Sequence, residues 1–129
     1  RRAGVDVGII TGRASKVVNH RARELGITIV YQGVQDKLAA YNGIKTETHL
    51  SDVQVAYVGD DIIDLPILRQ AGLAISVRDG WSGLGPFVDL ITESGGGNGA
   101  VREVAEILLK AQGKWPSVTI MASAVPRKS

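Results

Sequence analysis

Five short apolar runs, rich in β-branched residues, alternate with segments of helical character, and no other feature restricts the fold of this chain as much. Val5 to Ile10, Ile27 to Tyr31, Gln54 to Val58, Leu73 to Val77 and Val88 to Ile91 read as buried strands. Ser15 to Leu25 sets Val18, Ala22 and Leu25 at i, i+4 and i+7 and stops at Gly26, the pattern of an amphipathic helix. A short helix is expected from Lys37 to Tyr41, ended by Asn42-Gly43, and another holds Pro66 in its first turn and ends at Gly72. Ala100 to Gln112 carries Val101, Val104, Ala105 and Leu108 on one stripe and predicts the clearest helix. Repeated strand and helix units argue an α/β fold, a parallel sheet with helices on its faces.

The 129 residues are about one domain's worth of chain. The expected division is a core over 1–112 and a C-terminal tail over 113–129, where no period is evident. Fifteen basic against thirteen acidic residues leave a net charge of +2. That charge is spread along the chain, so no nucleic-acid footprint is expected. Cysteine is absent, which excludes a disulfide scaffold, a thiolate zinc site and a cysteine nucleophile together. No apolar run approaches the roughly 20 residues of a membrane helix, so no membrane partner is expected, and a reducing cytoplasm fits the composition. The chain starts at Arg1, and its sole methionine is Met121.

In an open parallel sheet, ligands bind beyond the carboxyl ends of the strands, so polar residues just after strands are the candidates. Thr11-Gly12-Arg13 follows the first strand, and Gly59-Asp60-Asp61 with Asp64 follows the third, while Lys37 opens a helix between them. A hydroxyl, a cation and clustered acids on one rim suit a phosphoryl group beside a magnesium ion, which takes hard oxygen ligands. Each residue also has a plainer reading: turn chemistry for Thr11 and Gly12, a solvated surface for Lys37, a helix N-cap for Asp64. The Asp60-Asp61 pair resists such a reading, because adjacent like charges repel and no turn requires them. His20 and His49 are expected at the surface. The glycines of 95–99 match no nucleotide fingerprint and read as a flexible connection, and Trp81 and Trp115 read as loop residues.

Ile9-Ile10-Thr11-Gly12-Arg13, Tyr31-Gln32-Gly33 with Asp36-Lys37, Val58-Gly59-Asp60-Asp61-Ile62-Ile63-Asp64 and Gly96-Gly97-Asn98-Gly99-Ala100-Val101-Arg102-Glu103 form an ordered set. In that order they resemble the haloacid dehalogenase superfamily, and within it the small capless 3-deoxy-D-manno-octulosonate 8-phosphate phosphatases. The resemblance runs from about Gly4 to Gln112 and implies a Rossmann-like sheet with helices on both faces. It implies that Thr11 binds the transferring phosphoryl group with Gly12, that Lys37 stabilises its charge, and that Arg13 lies near the substrate's anionic end. Asp60 would be a direct Mg2+ ligand, with Asp61 and Asp64 supporting the metal or its waters. The implied substrate is a small-molecule sugar phosphate, and the implied assembly is a homotetramer whose neighbouring subunits close an open site, with Arg127 and Lys128 of the tail as candidates to reach an adjacent one.

The family's first motif, Asp-x-Asp-Gly, supplies an aspartate nucleophile, and it occurs nowhere in these residues. The resemblance places that motif on a central strand between those that carry Thr11 and Asp60. Without it, about 9.6 Å of sheet, two strand spacings, needs filling. The expectation is therefore a strand and helix upstream of Arg1, a central position that is empty or filled by another chain, and no turnover by this chain alone. A second reading is a non-catalytic phosphatase-like assembly module of a nucleotidyltransferase, favoured by the absent nucleophile and opposed by the retained Thr11, Lys37, Asp60, Asp61 and Asp64. A phosphoacceptor receiver domain fits poorly, because its acidic pair should precede its lysine.

Overall fold

Neighbouring Ile9 and Ile10 project to opposite faces of a strand, yet both are fully buried, so the sheet that holds them is covered on both sides. A computed structural model describes residues 7–12, 16–24, 27, 29–95, 99, 102–104, 106–107 and 119–122. Its strands are β1 (Val7–Ile10), β2 (Ile29–Tyr31), β3 (Val55–Gly59), β4 (Leu73–Ser76), β5 (Leu90–Ile91) and β6 (Thr119–Ala122), and its helices α1 (Lys16–Glu24), α2 (Lys37–Thr48) and α3 (Leu65–Leu68). The strands pair in the order β2-β1-β6-β3-β4-β5, and every pairing is parallel. The expected α/β parallel sheet is thus present. Arg13, the 96–98 loop, Trp115, Arg127 and Lys128 lie outside the described residues, as does much of the helix expected over 100–112, of which 102–104 and 106–107 are helical.

The centre of the sheet differs from expectation. The position between β1 and β3, expected to be empty or filled by another chain, is held by β6, from the segment set apart as a tail beyond residue 112. Ile120 pairs with Val7 and Ala56, and Met121 with Gly8 and Tyr57. A four-residue run is too short a pattern to distinguish from its irregular surroundings, but a slot flanked by two apolar strands rewards any extended apolar segment that reaches it.

Helix α2 also outruns its expected end at Asn42-Gly43. Its buried residues Lys37, Tyr41 and Ile44 share one face, and that packing carries the helix through the glycine, whose added Cβ would meet nothing within 4 Å. Asp36 caps its start by accepting a hydrogen bond from the Ala39 N–H, and His49 closes it in the left-handed region at φ 57°. Below α2, the Asp52 carboxylate accepts from the Tyr41 hydroxyl and the Lys45 ammonium, each at 2.7 Å. The Gly72 N–H reaches the Asp52 carbonyl at 2.7 Å, and a Cβ on Gly72 would fall 2.7 Å from the Val53 Cα, so this approach requires glycine. Tyr41, Ile44, Val55, Tyr57, Ile67, Leu68, Leu84 and Met121 form one core, which joins α2, α3 and the middle of the sheet.

Met121 is fully buried in that core. Met121→Ala is expected to cost about 2–5 kcal/mol, read as a lowered urea midpoint. A midpoint equal to that of the parent chain would contradict β6 as the central strand.

Candidate functional site at the carboxyl edge

Parallel pairing brings the ends of β1 and β3, and hence Thr11 and Asp60, to the same edge of the sheet. Thr11 is nearly buried. Its N–H donates to the Tyr31 carbonyl at 2.9 Å, and its own carbonyl accepts from Val34 at 3.1 Å, so β2 and the loop before α2 fix its backbone. Gly12 follows, exposed.

After β3 the chain turns sharply. A Cβ on Gly59 would lie 2.7 Å from the Asp64 Cβ, and the missing side chain lets residues 60–64 fold back over the strand end. Ile62–Asp64 form one 3₁₀ turn, capped by the Asp61 carboxylate, which accepts from the Ile62 N–H at 2.7 Å. Asp64 does not cap α3. Its side chain points inward, is fully buried, and has both oxygens engaged. Oδ1 accepts from Lys37 Nζ at 3.0 Å and from the Tyr57 hydroxyl at 2.6 Å. Oδ2 accepts from the N–H groups of Asp60 at 3.0 Å and Asp61 at 3.2 Å.

Lys37, 8% exposed, is therefore no solvated surface residue: it reaches Asp64 from the first turn of α2 and forms a buried ion pair. Lys37, Asp60, Asp61 and Asp64 are brought together, with Thr11 beyond β6 on the same edge. Asp60 and Asp61 are exposed, whereas Asp64 lies beneath them. Asp60 is held from the next loop too, since its carbonyl accepts from the Trp81 N–H at 2.8 Å. His20 and His49 are exposed, as expected.

Burial by itself would raise the Asp64 carboxyl, but the Tyr57 hydrogen bond, the Lys37 ammonium and the Asp60 N–H outweigh it and hold the group below its ordinary 3.8. Burial, then the Asp64 charge and hydrogen bond, push the Tyr57 hydroxyl far up, so it stays a neutral donor. Tyr57 does not stand out as a site residue in the sequence. It sits inside an apolar strand, and only its position two residues before Gly59, facing the turn, hints at a polar role.

Among the described residues no three acidic or imidazole side chains stand together as a ready metal cage. The donor set still fits magnesium, which is usually held by one or two carboxylates and completed by waters and phosphate oxygens. Asp60 and Asp61 offer exposed carboxylates, while the engaged oxygens of Asp64 brace the turn.

Lys37→Met strands a buried carboxylate and is expected to cost about 3–5 kcal/mol in a urea titration. Asp52, like Asp64, is held below 3.8, by Lys45 and Tyr41 against the opposing effect of burial. A depressed folded-state pKa stabilises above the unfolded value, and that stability disappears as the pH falls through 3.8 and below. The urea midpoint is thus expected to drop between about pH 7 and about pH 3, and to drop less in Asp52→Asn. An identical pH profile for Asp52→Asn would show that Asp52 is not depressed.

No protein-family model matches the chain. It is 46% identical over 115 residues to the 3-deoxy-D-manno-octulosonate 8-phosphate phosphatase of Yersinia pestis, an alignment covering 89% of this chain and 62% of that protein. The crystal structure of the Yersinia pestis phosphatase superposes with a TM-score of 0.81 at 47% identity, covering 86% of this chain and 60% of that one. The phosphatase of Moraxella catarrhalis, solved with magnesium, phosphate and KDO, superposes with a TM-score of 0.83 at 45% identity over 89% of this chain and 66% of that one. A Legionella pneumophila hydrolase of the haloacid dehalogenase superfamily gives 0.83 at 44%, over 88% and 63%. The chain thus spans about three fifths of the length of the curated relatives it matches.

Proposed function

The chain belongs to the haloacid dehalogenase superfamily, in the family of 3-deoxy-D-manno-octulosonate 8-phosphate phosphatases, and from that premise we propose that its carboxyl edge binds and neutralises the phosphoryl group of a sugar-acid phosphate during magnesium-dependent hydrolysis. The observation that carries this reading is the buried Lys37–Asp64 pair directly beneath the exposed Asp60-Asp61 turn, on the edge that also holds Thr11.

A phosphomonoester is dianionic, and its hydrolysis asks chiefly for positioning and charge neutralisation. The Thr11 hydroxyl and the Gly12 N–H donate to phosphoryl oxygens. One Lys37 proton is committed to Asp64, and an ammonium has two more with which to face the phosphoryl group. Arg13 takes the anionic end of the substrate. Asp60 holds the magnesium ion, with Asp61 and the Asp64-braced turn in support, and the bound ion would screen the charge of the phosphoryl oxygens.

Phosphoryl transfer in this family's manner breaks the bond from phosphorus to the sugar oxygen and forms one to an aspartate, which water then cleaves. That aspartate is absent from these residues: the central strand is Thr-Ile-Met-Ala, and no Asp or Glu follows Glu106. These 129 residues therefore bind but do not turn over unaided, and the carboxylate comes from elsewhere. The eight-carbon 3-deoxy-D-manno-octulosonate 8-phosphate is the preferred substrate, with a nine-carbon keto-acid phosphate meeting the same requirements. A homotetramer in the cytoplasm completes the reading. It is supported by Ile62, Ile63 and Trp81, which leave apolar surface exposed beside the acidic turn. The relatives named above are phosphatases and a hydrolase, and none favours the nucleotidyltransferase assembly module.

Calorimetry with magnesium and inorganic phosphate is expected to show binding to the chain, lost in Asp60→Asn, and no release of phosphate from either sugar-acid phosphate. Turnover at an ordinary enzymatic rate by this chain alone would overturn the requirement for an outside carboxylate. Equal phosphate binding by Asp60→Asn would overturn the metal assignment.

A further inference from the structure

Four donors converge on the Asp64 carboxylate, and three belong to the parts expected to touch ligand: Lys37 and the backbone of Asp60 and Asp61. The fourth, the Tyr57 hydroxyl, rises from the core below. Tyr57 lies in mid-β3 with no exposed surface, its ring edge-on to Tyr41 of α2 with centroids 6.4 Å apart. A phenylalanine would fill that space without a polar atom to desolvate, so the buried hydroxyl needs its partner. Its 2.6 Å bond is the shortest of the four. It meets the same oxygen as Lys37, so one lone pair of Oδ1 is directed at the core and the other at the ammonium. With Oδ2 on the two N–H groups, no rotation of the carboxylate short of its own two-fold flip preserves all four bonds.

We infer that Tyr57 is a positioning residue, whose hydroxyl sets the Asp64 carboxylate and through it both the Lys37 ammonium and the Asp60-Asp61 turn. The inference deepens the phosphoryl-site reading and rests on it for its ligand-binding half. Without the hydroxyl, Asp64 Oδ1 is left with Lys37 alone. The carboxylate is then free to follow the ammonium, and its grip on the turn loosens.

Tyr41 supplies a matched control. It is an equally buried tyrosine whose hydroxyl donates to a carboxylate, Asp52, near the opposite end of β3. Amide hydrogen exchange is measured on Tyr57→Phe and Tyr41→Phe without ligand, and inorganic phosphate affinity with magnesium present. Tyr57→Phe is expected to speed exchange at Asp60 and Asp61 about tenfold beyond any change at Ala74, and to weaken phosphate about tenfold. Tyr41→Phe lowers the urea midpoint but changes neither the Asp60 and Asp61 amides selectively nor phosphate affinity. Uniform acceleration in Tyr57→Phe, matching Tyr41→Phe, overturns the inference, and so does selective acceleration with unchanged phosphate affinity. Failure of the parent chain to bind phosphate would remove the phosphoryl-site reading itself. The amide comparison would still report whether Tyr57 holds the turn.

Discussion

A carboxylate with no exposed surface holds this edge of the molecule together. Moving such a charge out of water costs several kcal/mol, and the cost is met only when its lone pairs are filled by good donors. Asp64 has four, one from a cation, one from a phenol and two from the backbone, and together they draw three parts of the chain to the same point: α2, β3 and the turn after it. Through Lys37 it fixes the start of α2, and through Tyr57 it ties the turn to mid-β3. Through the two N–H groups it bends the chain that presents Asp60 and Asp61. The repulsion between those two acids is offset by the backbone bonds to Asp64 and by the Asp61 carboxylate's bond to the Ile62 N–H. Gly59 is the steric condition for all of it, since a Cβ there would occupy the place of the Asp64 side chain.

This explains which parts of the site are legible in the sequence. Thr11, Lys37, Asp60 and Asp61 stand at element boundaries, where polar residues interrupt an apolar pattern, and boundary position is what sequence reading detects well. Their convergence follows from parallel topology alone. Asp64 is recognisable, but its direction is not, because a carboxylate three residues after another reads equally as a cap, a ligand or a support. Tyr57 is hidden for the opposite reason: an aromatic in a strand is ordinary core, and only the position of its hydroxyl in three dimensions reveals a polar function. Helix α2 runs past Gly43 because buried contacts at Tyr41 and Ile44 outweigh the propensity cost of about 1 kcal/mol for glycine.

The sheet's centre is the least legible part. Local pattern says which segments are extended, not which neighbours they choose, and neighbour choice here spans nearly the whole chain: Val7 pairs with Ile120. The strands bearing Thr11 and Asp60 do not pair with each other. Each hydrogen-bonds to β6, so the spacing between the hydroxyl and the acidic turn is set by a strand that contributes no acid of its own.

That arrangement separates two demands on the middle strand. The middle strand must be extended and apolar to join the sheet, a requirement on burial that Met121 meets. It must also end in a group suited to the chemistry of the edge, a requirement on the residue at its carboxyl end that Thr119–Ala122 does not address with a carboxylate. The first requirement decides whether Thr11 and Asp60 are held in register at all, and the second decides what can happen between them. The Lys37, Tyr57 and Asp64 cluster is built within residues 37–64, and β6 joins it from far along the chain, pairing Met121 with Tyr57.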